Sequence, residues 1–371
     1  MIIKSIELSN FRNYEHLDIT FDEGTNILYG DNAQGKTNIL EAAYVSGTTK
    51  SHKGRRDKEM IRFDQTESHI KTLVEKNEKE YQIDIHLKKN KAKGIAINKV
   101  PIKKASELFG ILNIIFFSPE DLNIIKNGPA ERRRFIDAEL CQLDKIYLSD
   151  LTNYNKILNQ RNKLLKDLYF KPSLKETLPV WDMQLVSYGK KIIARRNQFI
   201  MELNEVVHEI HHKISGGREE MVIKYEPNIE DIFFEDELIR AKEKDLKYTQ
   251  TSVGPHRDDL KISVGDIDVR KFGSQGQQRS CALSLKLSEI KLVEQTIHDK
   301  PVLLLDDVLS ELDHNRQNYL LQAIDDTQTI ITCTGLDDFV KNRFTLNKVY
   351  EVENGCVHLH SNMMEDKNES E

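Results

Sequence analysis

The chain has 371 residues, of which 31% are charged and 39% hydrophobic, and its formal net charge is −6 at pH 7. Its apolar runs are too short to cross a membrane, and the amino terminus lacks the pattern of a signal peptide, so we expect a cytoplasmic protein. The cysteines Cys141, Cys281, Cys333 and Cys356 have no paired spacing, which argues against a disulfide framework and a zinc site.

The first hundred residues show the alternation that is typical of β-strands. Apolar residues recur at every second position in 17–21 and 81–87, before a further strand at 95–97, and Lys88–Lys93 form the turn between the last two strands. The region from 25 to 50 differs, because an apolar run ending at Gly30 is followed by a helical stretch from Lys36 to about Val45.

Residues 130–215 have helical periodicity. Two heptad-like stripes comprise Tyr147, Leu151, Tyr154, Leu158, Arg161, Leu165 and Leu168, and Trp181, Leu185, Tyr188, Ile192, Phe199, Leu203, Val206 and Ile210. Pro172 and Pro179 bracket the link between them. The pattern predicts an antiparallel helical hairpin with helices of about 25–35 residues, or roughly 40–50 Å. Strand patterns return at 221–225, 260–264, 302–305, 329–332 and 348–359.

A phosphate-binding loop is the first motif that indicates chemistry. Gly30, Asp31, Asn32, Ala33, Gln34, Gly35, Lys36 and Thr37 fit G-x-x-x-x-G-K-[ST], directly after an apolar strand and at the start of a helix. Lys36 would reach the β and γ oxygens as a catalytic residue, and the Thr37 hydroxyl would bind Mg²⁺. We include Asn38 and Arg12 among the nucleotide contacts, although Arg12 could instead touch DNA. The motif alone does not separate kinases, GTPases and ABC-type ATPases.

Two aspartates follow a strongly apolar strand far along the chain. Val302–Leu305 leads directly into Asp306 and Asp307. We predict that Asp306 holds Mg²⁺ with Thr37, and that Asp307 is catalytic, as the general base or the group that orients the attacking water. Roughly 270 residues separate this pair from Lys36, and the predicted helical hairpin is inserted within that interval.

The segment before the aspartates indicates an ABC-type enzyme. Ser274, Gln275, Gly276 and Gln277 precede a helix and resemble the ABC signature, whose serine and glycine bind the γ-phosphate of ATP held by the other subunit. Ser310–Asp313 resembles the D-loop that crosses the same interface. Each chain would hold half of each site, so we expect an ATP-dependent homodimer.

The predicted fold is therefore α/β, an ABC-type P-loop ATPase head with mixed sheets, plus an inserted antiparallel helical arm that forms a short coiled coil. We predict an amino-terminal part of the ATPase lobe at 1–125 and the arm at 126–220. The carboxy-terminal part of the lobe follows at 221–362, and an acidic, disordered tail at 363–371.

Over nearly its whole length the sequence resembles the RecF family of bacterial recombination-mediator ATPases. The resemblance lies in Leu8–Tyr14, the phosphate-binding loop, Ser118–Leu122, Arg132–Asp137, Gly254–Asp259, the signature and Leu303–Asp313. It implies a nucleoid-associated protein that binds ATP, Mg²⁺ and DNA, either duplex or gapped with single-strand junctions. It also implies partners, RecO and RecR, that help it load RecA at gaps, and roles in replication and SOS induction.

Two ABC features are missing. Thr332, Cys333 and Thr334 stand where a switch histidine is expected, and no clear Q-loop glutamine is visible, so that Glu120 or Asp121 would take its place. Without the histidine we expect slow, DNA-stimulated hydrolysis that serves as a switch, with turnover below about 10 s⁻¹.

Lysine-rich segments are the candidate DNA contacts. They comprise Lys53, Arg55, Arg56, Lys88, Lys89, Lys91 and Lys93. Such segments suit phosphates rather than bases. The alternative is a solvated hairpin that protects an edge strand. Arg132–Arg134, at a predicted helix start, would either bind phosphate or pair with acidic neighbours.

Two other functions remain as alternatives. One is an SMC-like ATPase subunit of a nuclease complex, and the other is a transporter cassette, which would be shorter and would carry the switch histidine. His208–His212 satisfies H-E-x-x-H, but these histidines lie opposite the packed side of their helix, so we do not assign a metalloprotease.

Overall fold

The computed structural model describes residues 1–54, 56–324, 326–335 and 346–362. Arg55 and the predicted acidic tail at 363–371 lie outside this part of the chain. The chain divides into two compact units, one formed by Met1–Asp121 with Glu289–Glu371 and the other by Leu122–Ser288. The second unit contains residues 221–288, which we had predicted to belong to the ATPase lobe, as well as the helices of the arm. The predicted domain boundaries stay a prediction.

The described part of the chain contains both strands and helices, with runs of strands near its beginning and a run of helices in its middle. The strands are β1 (Ile2–Phe11), β2 (Tyr14–Thr20), β3 (Thr25–Tyr29), β4 (Glu67–Lys76), β5 (Lys79–Lys88), β6 (Gly94–Ile97), β7 (Val100–Pro101), β8 (Ile114–Phe117), β9 (Met221–Glu226), β10 (Asp259–Val264), β11 (Ile267–Asp268), β12 (Val302–Asp306), β13 (Thr329–Cys333), β14 (Leu346–Glu353) and β15 (Cys356–Asn362). The helices are α1 (Lys36–Thr48), α2 (Leu122–Lys126), α3 (Pro129–Leu143), α4 (Lys145–Asp167), α5 (Leu178–Ile214), α6 (Phe234–Arg240), α7 (Lys242–Tyr248), α8 (Val269–Phe272) and α9 (Gln275–Ile297), followed by α10 (His314–Ile324).

The first unit contains two sheets. One is antiparallel, with strand order β2-β1-β4-β5-β6-β7. It follows from the alternation of its residues, because period-2 apolar positions place one row of side chains on the core face. The other has the order β15-β14-β3-β13-β12-β8, and its strands from β14 to β8 run parallel.

The parallel sheet decides where a ligand can bind. Its strands are nearly continuous apolar runs, such as Val302–Leu305, because both faces of such a sheet are covered. Its strands β3, β12, β13 and β8 end side by side, so the loops that follow them meet at one edge. Open α/β sheets bind their ligands at this carboxyl edge. We did not predict β8, whose four residues are too short to show a period.

One hydrophobic core joins both sheets of this unit to α1. It includes Ile6 and Leu8 of the antiparallel sheet, Ile39 and Leu40 of α1, and Leu304 of the parallel sheet, all with essentially no exposed surface. Helix α1 thus runs through apolar surroundings, which fix its amino terminus directly after β3. Within the described residues, no helix has the length and apolar character that spanning a bilayer requires.

The second unit contains the predicted hairpin of α4 and α5, together with the three-stranded sheet β11-β10-β9. Helix α4 has 23 residues and α5 has 37, so the two helices are less equal than we predicted. Pro179 lies in the first turn of α5 instead of before the helix. A proline is tolerated there because first-turn N–H groups have no intrahelical partner.

Buried arginines hold this unit together, which the heptad pattern did not predict. Arg161 has no exposed side-chain surface and donates to Asp182 at 2.6 Å and to Asp245 at 2.7 Å. Arg196 donates to Asp137 and Asp258, both at 2.8 Å. Each guanidinium group pairs with two carboxylates, and this pairing offsets part of the cost of burying its charge.

The open question about Arg132–Arg134 is resolved in favour of protein partners. Arg132 makes a two-pronged ion pair with Asp259, at 2.6 and 3.0 Å, and Arg133 donates to the Asp258 carbonyl at 2.5 Å. Arg134 lies 3.9 Å from Glu131. His208 and His212 are exposed, and the described residues contain no cluster of three ligands suited to a metal.

Candidate nucleotide site

The backbone of residues 30–35 forms a tight loop between β3 and α1, and Lys36 and Thr37 are the first residues of the helix. Gly30 has φ +145° and Gly35 has φ +117°, in the region that favours glycine. A Cβ at Gly30 would lie 2.3 Å from the Val352 carbonyl oxygen, and one at Gly35 would lie 2.5 Å from the Asn13 side chain. Both glycines are therefore required by space as well as by conformation, and the loop ends at the amino terminus of a 13-residue helix. Such a terminus attracts anions.

The side chain of Lys36 extends back into the loop that precedes α1. Its ammonium donates to the carbonyls of Gly30 at 2.5 Å and of Asp31 at 2.7 Å. Burial lowers the pKa of Lys36, and Cys333 and the carboxylates of Asp307 and Asp306 oppose that shift. The two carbonyls are weak partners that a more negative ligand can replace, so Lys36 is poised to turn toward phosphate oxygens.

Thr37 and Asp306 meet although 269 positions separate them. The Thr37 hydroxyl donates to Asp306 Oδ1 at 2.8 Å. The Thr332 hydroxyl donates to the same oxygen, also at 2.8 Å, and accepts from the Asp307 N–H at 3.1 Å. Asp306 and Thr332 face each other in the parallel register of β12 and β13. A hydroxyl and a carboxylate are the oxygen ligands that Mg²⁺ takes besides phosphates and water.

Asp307 has an unusual backbone conformation. Its φ is +53°, which is uncommon for a residue other than glycine. The Ser310 hydroxyl donates to the Asp307 carbonyl at 2.8 Å and lies 3.3 Å from Asp307 Oδ1. This turn directs the chain away from β12 immediately after Asp306, so the two carboxylates serve different positions at the sheet edge.

These groups line a cleft of about 440 Å³, a size typical of small-ligand sites. Its lining comprises residues Asn32–Asn38, His52, Lys53, Ser118, Pro119, Glu120, Asp306, Asp307 and Thr332. Of the two candidates for the missing Q-loop residue, Glu120 lines the cleft. The Asp121 carboxylate instead accepts from the Ser118 N–H at 2.8 Å and so shapes the turn after β8.

Arg12 supports α1. Its guanidinium makes two 2.7 Å hydrogen bonds to the buried carboxylate of Glu41 in α1, and donates to the Glu59 carbonyl at 2.6 Å. Burial would raise the pKa of Glu41, but hydrogen bonds from Arg12 and Ser51 outweigh it and lower the pKa. The geometry thus gives Arg12 a structural role, and its contact with ATP stays a prediction.

Asn13 and Thr332 are the site residues that sequence reasoning missed. Asn13 donates to the Gln34 carbonyl at 3.1 Å and accepts from Asn38 at 2.8 Å, so it joins the phosphate-binding loop to the first turn of α1. Thr332 was noted only as the residue in place of a histidine. A polar residue at the end of a buried strand was the available signal for Thr332, whereas nothing in the sequence marks the contact between Asn13 and the loop.

The signature segment lies in the second unit, at the start of α9. Ser274, Gln275 and Gly276 are exposed. The Gln277 N–H donates to the Ser274 hydroxyl at 3.2 Å, and the Ser274 N–H donates to the Gln277 side-chain oxygen at 3.0 Å. This reciprocal pair is a capping box, which fixes the first turn of the helix.

The predicted DNA contacts lie in two places in the first unit, the loop after α1 and the end of β5 with the turn that follows it. Lys53, Arg56, Lys88, Lys89 and Lys91 are exposed. Lys93 pairs with Asp57 at 3.1 Å and donates to the Thr49 carbonyl, so it joins the turn after β5 to the loop after α1. Lys88 lies 3.0 Å from Glu67. The two lysine-rich segments, which are separate in the sequence, therefore lie side by side in the structure. We call this surface, formed by Lys53, Arg56, Lys88, Lys89, Lys91 and Lys93, the basic patch.

Comparison with known proteins settles the family. The profile described as "RecF/RecN/SMC N terminal domain" matches residues 2–358. The DNA replication and repair protein RecF of Agathobacter rectalis is 72% identical over 359 residues, which covers 97% of this chain and 99% of that protein. The chain belongs to the RecF family. RecF of Lachnospira eligens is 61% identical, over 96% of this chain and 99% of that protein.

Solved structures agree with this membership. A structure of the recombination mediator protein RecF with ATP, in the RecFOR pathway, is 36% identical, covers 97% of each chain and has a TM-score of 0.90. The Smc head domain of Pyrococcus furiosus, at 16% identity and a TM-score of 0.55, shares the fold alone. The predicted fold, an ABC-type ATPase head with a helical arm, is thereby confirmed for this RecF-family chain.

Replacing Thr332 by valine tests the geometry around Asp306. Thr332→Val removes the hydroxyl that orients the carboxylate, so we expect the Mg²⁺ concentration for half-maximal ATP turnover to rise at least about tenfold, because hydrogen bonds to charged groups are strong. Thr332→Ser keeps the hydroxyl and should remain near the wild type. Equal Mg²⁺ dependence for valine and serine would contradict the assigned role.

Proposed function

We propose that this chain is an ATP-dependent DNA-binding protein of recombinational repair. In this proposal ATP closes two copies into a dimer on DNA, and the dimer helps RecO and RecR to load RecA at gaps, which supports replication and SOS induction. It hydrolyses ATP slowly, with stimulation by DNA, and uses the reaction as a switch. It acts in the cytoplasm, at the nucleoid.

The contact between Thr37 and Asp306 carries the nucleotide part of this proposal. It joins the phosphate-binding loop to the second carboxylate motif at the carboxyl edge of a parallel sheet, beside a glycine-lined anion site. The RecF structure with ATP, which this chain resembles over 97% of its length, supports ATP as the ligand. The residues present fit Mg²⁺, since Thr37 and Asp306 offer oxygen ligands and Mg²⁺ sites are completed by substrate phosphates.

Each residue then has a defined task. The N–H groups of residues 30–37 and the α1 terminus bind the phosphates, and Lys36 exchanges its two carbonyl partners for the β and γ oxygens. Bound Mg²⁺ would neutralise charge that develops on the phosphates. Asp307 accepts a proton from the attacking water or orients that water. Thr332 occupies the strand position at which a switch histidine is expected. Its hydroxyl is already hydrogen-bonded to the Asp306 carboxylate and the Asp307 N–H, so we propose slow turnover.

The signature serine completes the site in the opposite subunit. Ser274 and Gly276 are exposed at the amino terminus of a 23-residue helix, a location suited to binding a phosphate brought by another molecule. Two such half-sites, related by a twofold axis, would make an isologous interface that ATP closes.

Mixing two inactive variants tests the shared site. We expect Lys36→Ala to lose ATP binding and Ser274→Arg to bind ATP without dimerising, because the arginine blocks the partner's phosphate. A mixture of the two restores one complete site per heterodimer, made from Lys36 of one copy and Ser274 of the other. Sedimentation with ATP should therefore show dimers in the mixture and monomers in each variant alone.

The matched control combines both substitutions in one chain. Mixing that double variant with the wild type gives a heterodimer in which each site lacks one residue, so no complete site forms across it. A wild-type protein that stays monomeric with ATP, or a mixture that gives no dimer, would contradict a site shared between two copies.

The basic patch is the proposed DNA contact. Its exposed lysines suit a phosphate backbone, and the described aromatic side chains do not interleave with them, so binding through phosphates is favoured over stacking on bases. The family membership, and the similarity to a RecF structure of the RecFOR pathway, support DNA, RecO and RecR as partners.

Charge reversal at Lys88, Lys89 and Lys91 tests this surface. Each lysine–phosphate pair that the substitutions remove reduces the magnitude of the negative slope of log binding constant against log salt by about 0.9. The triple glutamate variant should therefore bind duplex DNA more weakly, with a slope whose magnitude is smaller by up to about three. Reversal at Lys242, Lys244 and Lys247 on α7 is the control for net charge. An unchanged slope in the patch variant would contradict its role.

A further inference from the structure

The capping box at the signature uses only part of the Gln277 side chain. Its oxygen accepts from the Ser274 N–H at 3.0 Å, which leaves the amide NH₂ directed elsewhere. That nitrogen donates to Glu219 Oε1 at 2.9 Å. The Gln277 amide therefore lies between the signature serine on one side and a carboxylate on the other.

Glu219 belongs to the loop that follows α5, the long helix of the arm. Its N–H donates to the Ser215 hydroxyl at 3.2 Å, which fixes the loop near the helix end. Its second oxygen, Oε2, lies 3.5 Å from Nε2 of His211, a residue with no exposed side-chain surface. Nδ1 of His211 is 2.9 Å from the Ser284 hydroxyl of α9. Glu219 thus has contacts on both α5 and α9.

The chemistry of the carboxylate determines which way the amide points. An ionised carboxylate only accepts hydrogen bonds, so Gln277 must present its NH₂ group to Glu219 and its oxygen to Ser274. With the amide reversed, its NH₂ would face the Ser274 N–H, donor against donor, and the capping box would be lost. A hydrogen bond to a carboxylate is also stronger than one to a neutral acceptor.

We infer that Glu219 is a positioning residue for the signature serine, which it holds through Gln277 in the arrangement that closes on the ATP of a partner copy. The inference rests on the function proposed above. Glu219 acts through another side chain and does not itself touch the nucleotide. Because Glu219 contacts His211 of α5, a displacement of this arm helix would be transmitted to the signature through the side chains of Glu219 and Gln277.

Exchanging the two side chains tests this inference. Gln277→Glu keeps an oxygen for the Ser274 N–H but places a second carboxylate against Glu219. Its ATP-dependent dimer should have a dissociation constant raised at least about tenfold. Glu219→Gln alone still accepts from Gln277 and should stay within about threefold of the wild type. The double exchange restores one donor and one acceptor, and should recover most of the affinity.

Two further measurements separate positioning from folding. Affinity for a fluorescent ATP analogue, measured with the protein below its dimer dissociation constant, should be the same in all variants because residues 30–37 are untouched. Glu220→Ala, at the neighbouring exposed carboxylate, should dimerise like the wild type. Glu219→Ala should weaken the dimer as Gln277→Glu does.

The outcomes distinguish this inference from the proposed function. Normal dimerisation of Gln277→Glu, or a double exchange as impaired as Gln277→Glu, overturns the role of Glu219 while Ser274→Arg still prevents the dimer. Loss of nucleotide affinity in the variants also overturns it, because the effect is then not confined to the signature. A wild-type protein that does not dimerise with ATP overturns both.

Discussion

The site depends on the hydrogen bond between Thr37 and Asp306, which joins the two ends of an ATPase head across most of the chain. Parallel pairing of β3, β13 and β12 makes that bond possible, because it brings the carboxyl ends of distant strands to one edge. The continuous apolar strands and the core around α1 fix the edge itself. A slip of β12 by one residue would exchange Asp306 and Asp307 between its two faces.

The same edge explains why a threonine can stand in place of a histidine. Thr332 ends its strand opposite Asp306 and uses its one hydroxyl both to donate to that carboxylate and to accept from the next backbone N–H. It therefore preserves the position of the Asp306 carboxylate, the proposed magnesium ligand, but offers no titrating group near neutral pH. Slow hydrolysis at such a site would suit the proposed role, in which the ATP-bound dimer is the working state.

The sequence was sufficient for those parts of the site in which neighbours in the chain are also neighbours in space. Residues 30–37 form one turn, and Asp306 ends one apolar strand, so local pattern and motif spacing predicted both. The pairing of Thr37 with Asp306 was accessible only because each belongs to a motif of known chemistry, and other contacts between distant segments were not. Asn13 against the phosphate-binding loop, Thr332 against Asp306, and Glu219 against Gln277 each require knowledge of which strand or helix lies beside which. Arg12 is a related case, since its position near a nucleotide motif suggested phosphate, and nothing in the sequence indicated that its guanidinium also pairs with the buried Glu41.

The helical arm illustrates a further limit. Its heptad stripes predicted two packed helices, and most of those positions are buried. The pattern could not show that Arg161, within the stripe, is neutralised by Asp182 and Asp245, because both carboxylates come from other elements. Nor could it place β9 to β11 in the same compact unit as the helices.

The central claim is that two copies share each ATP, and a structure of the complex tests it most directly. Asp307→Asn should retain the binding groups while slowing hydrolysis, so that its complex with MgATP can be determined by crystallography or electron microscopy. We predict a twofold dimer in which residues 30–37 of one copy and Ser274 and Gly276 of the other contact the same triphosphate. ATP bound to residues 30–37 with the signature of every copy facing solvent would contradict it.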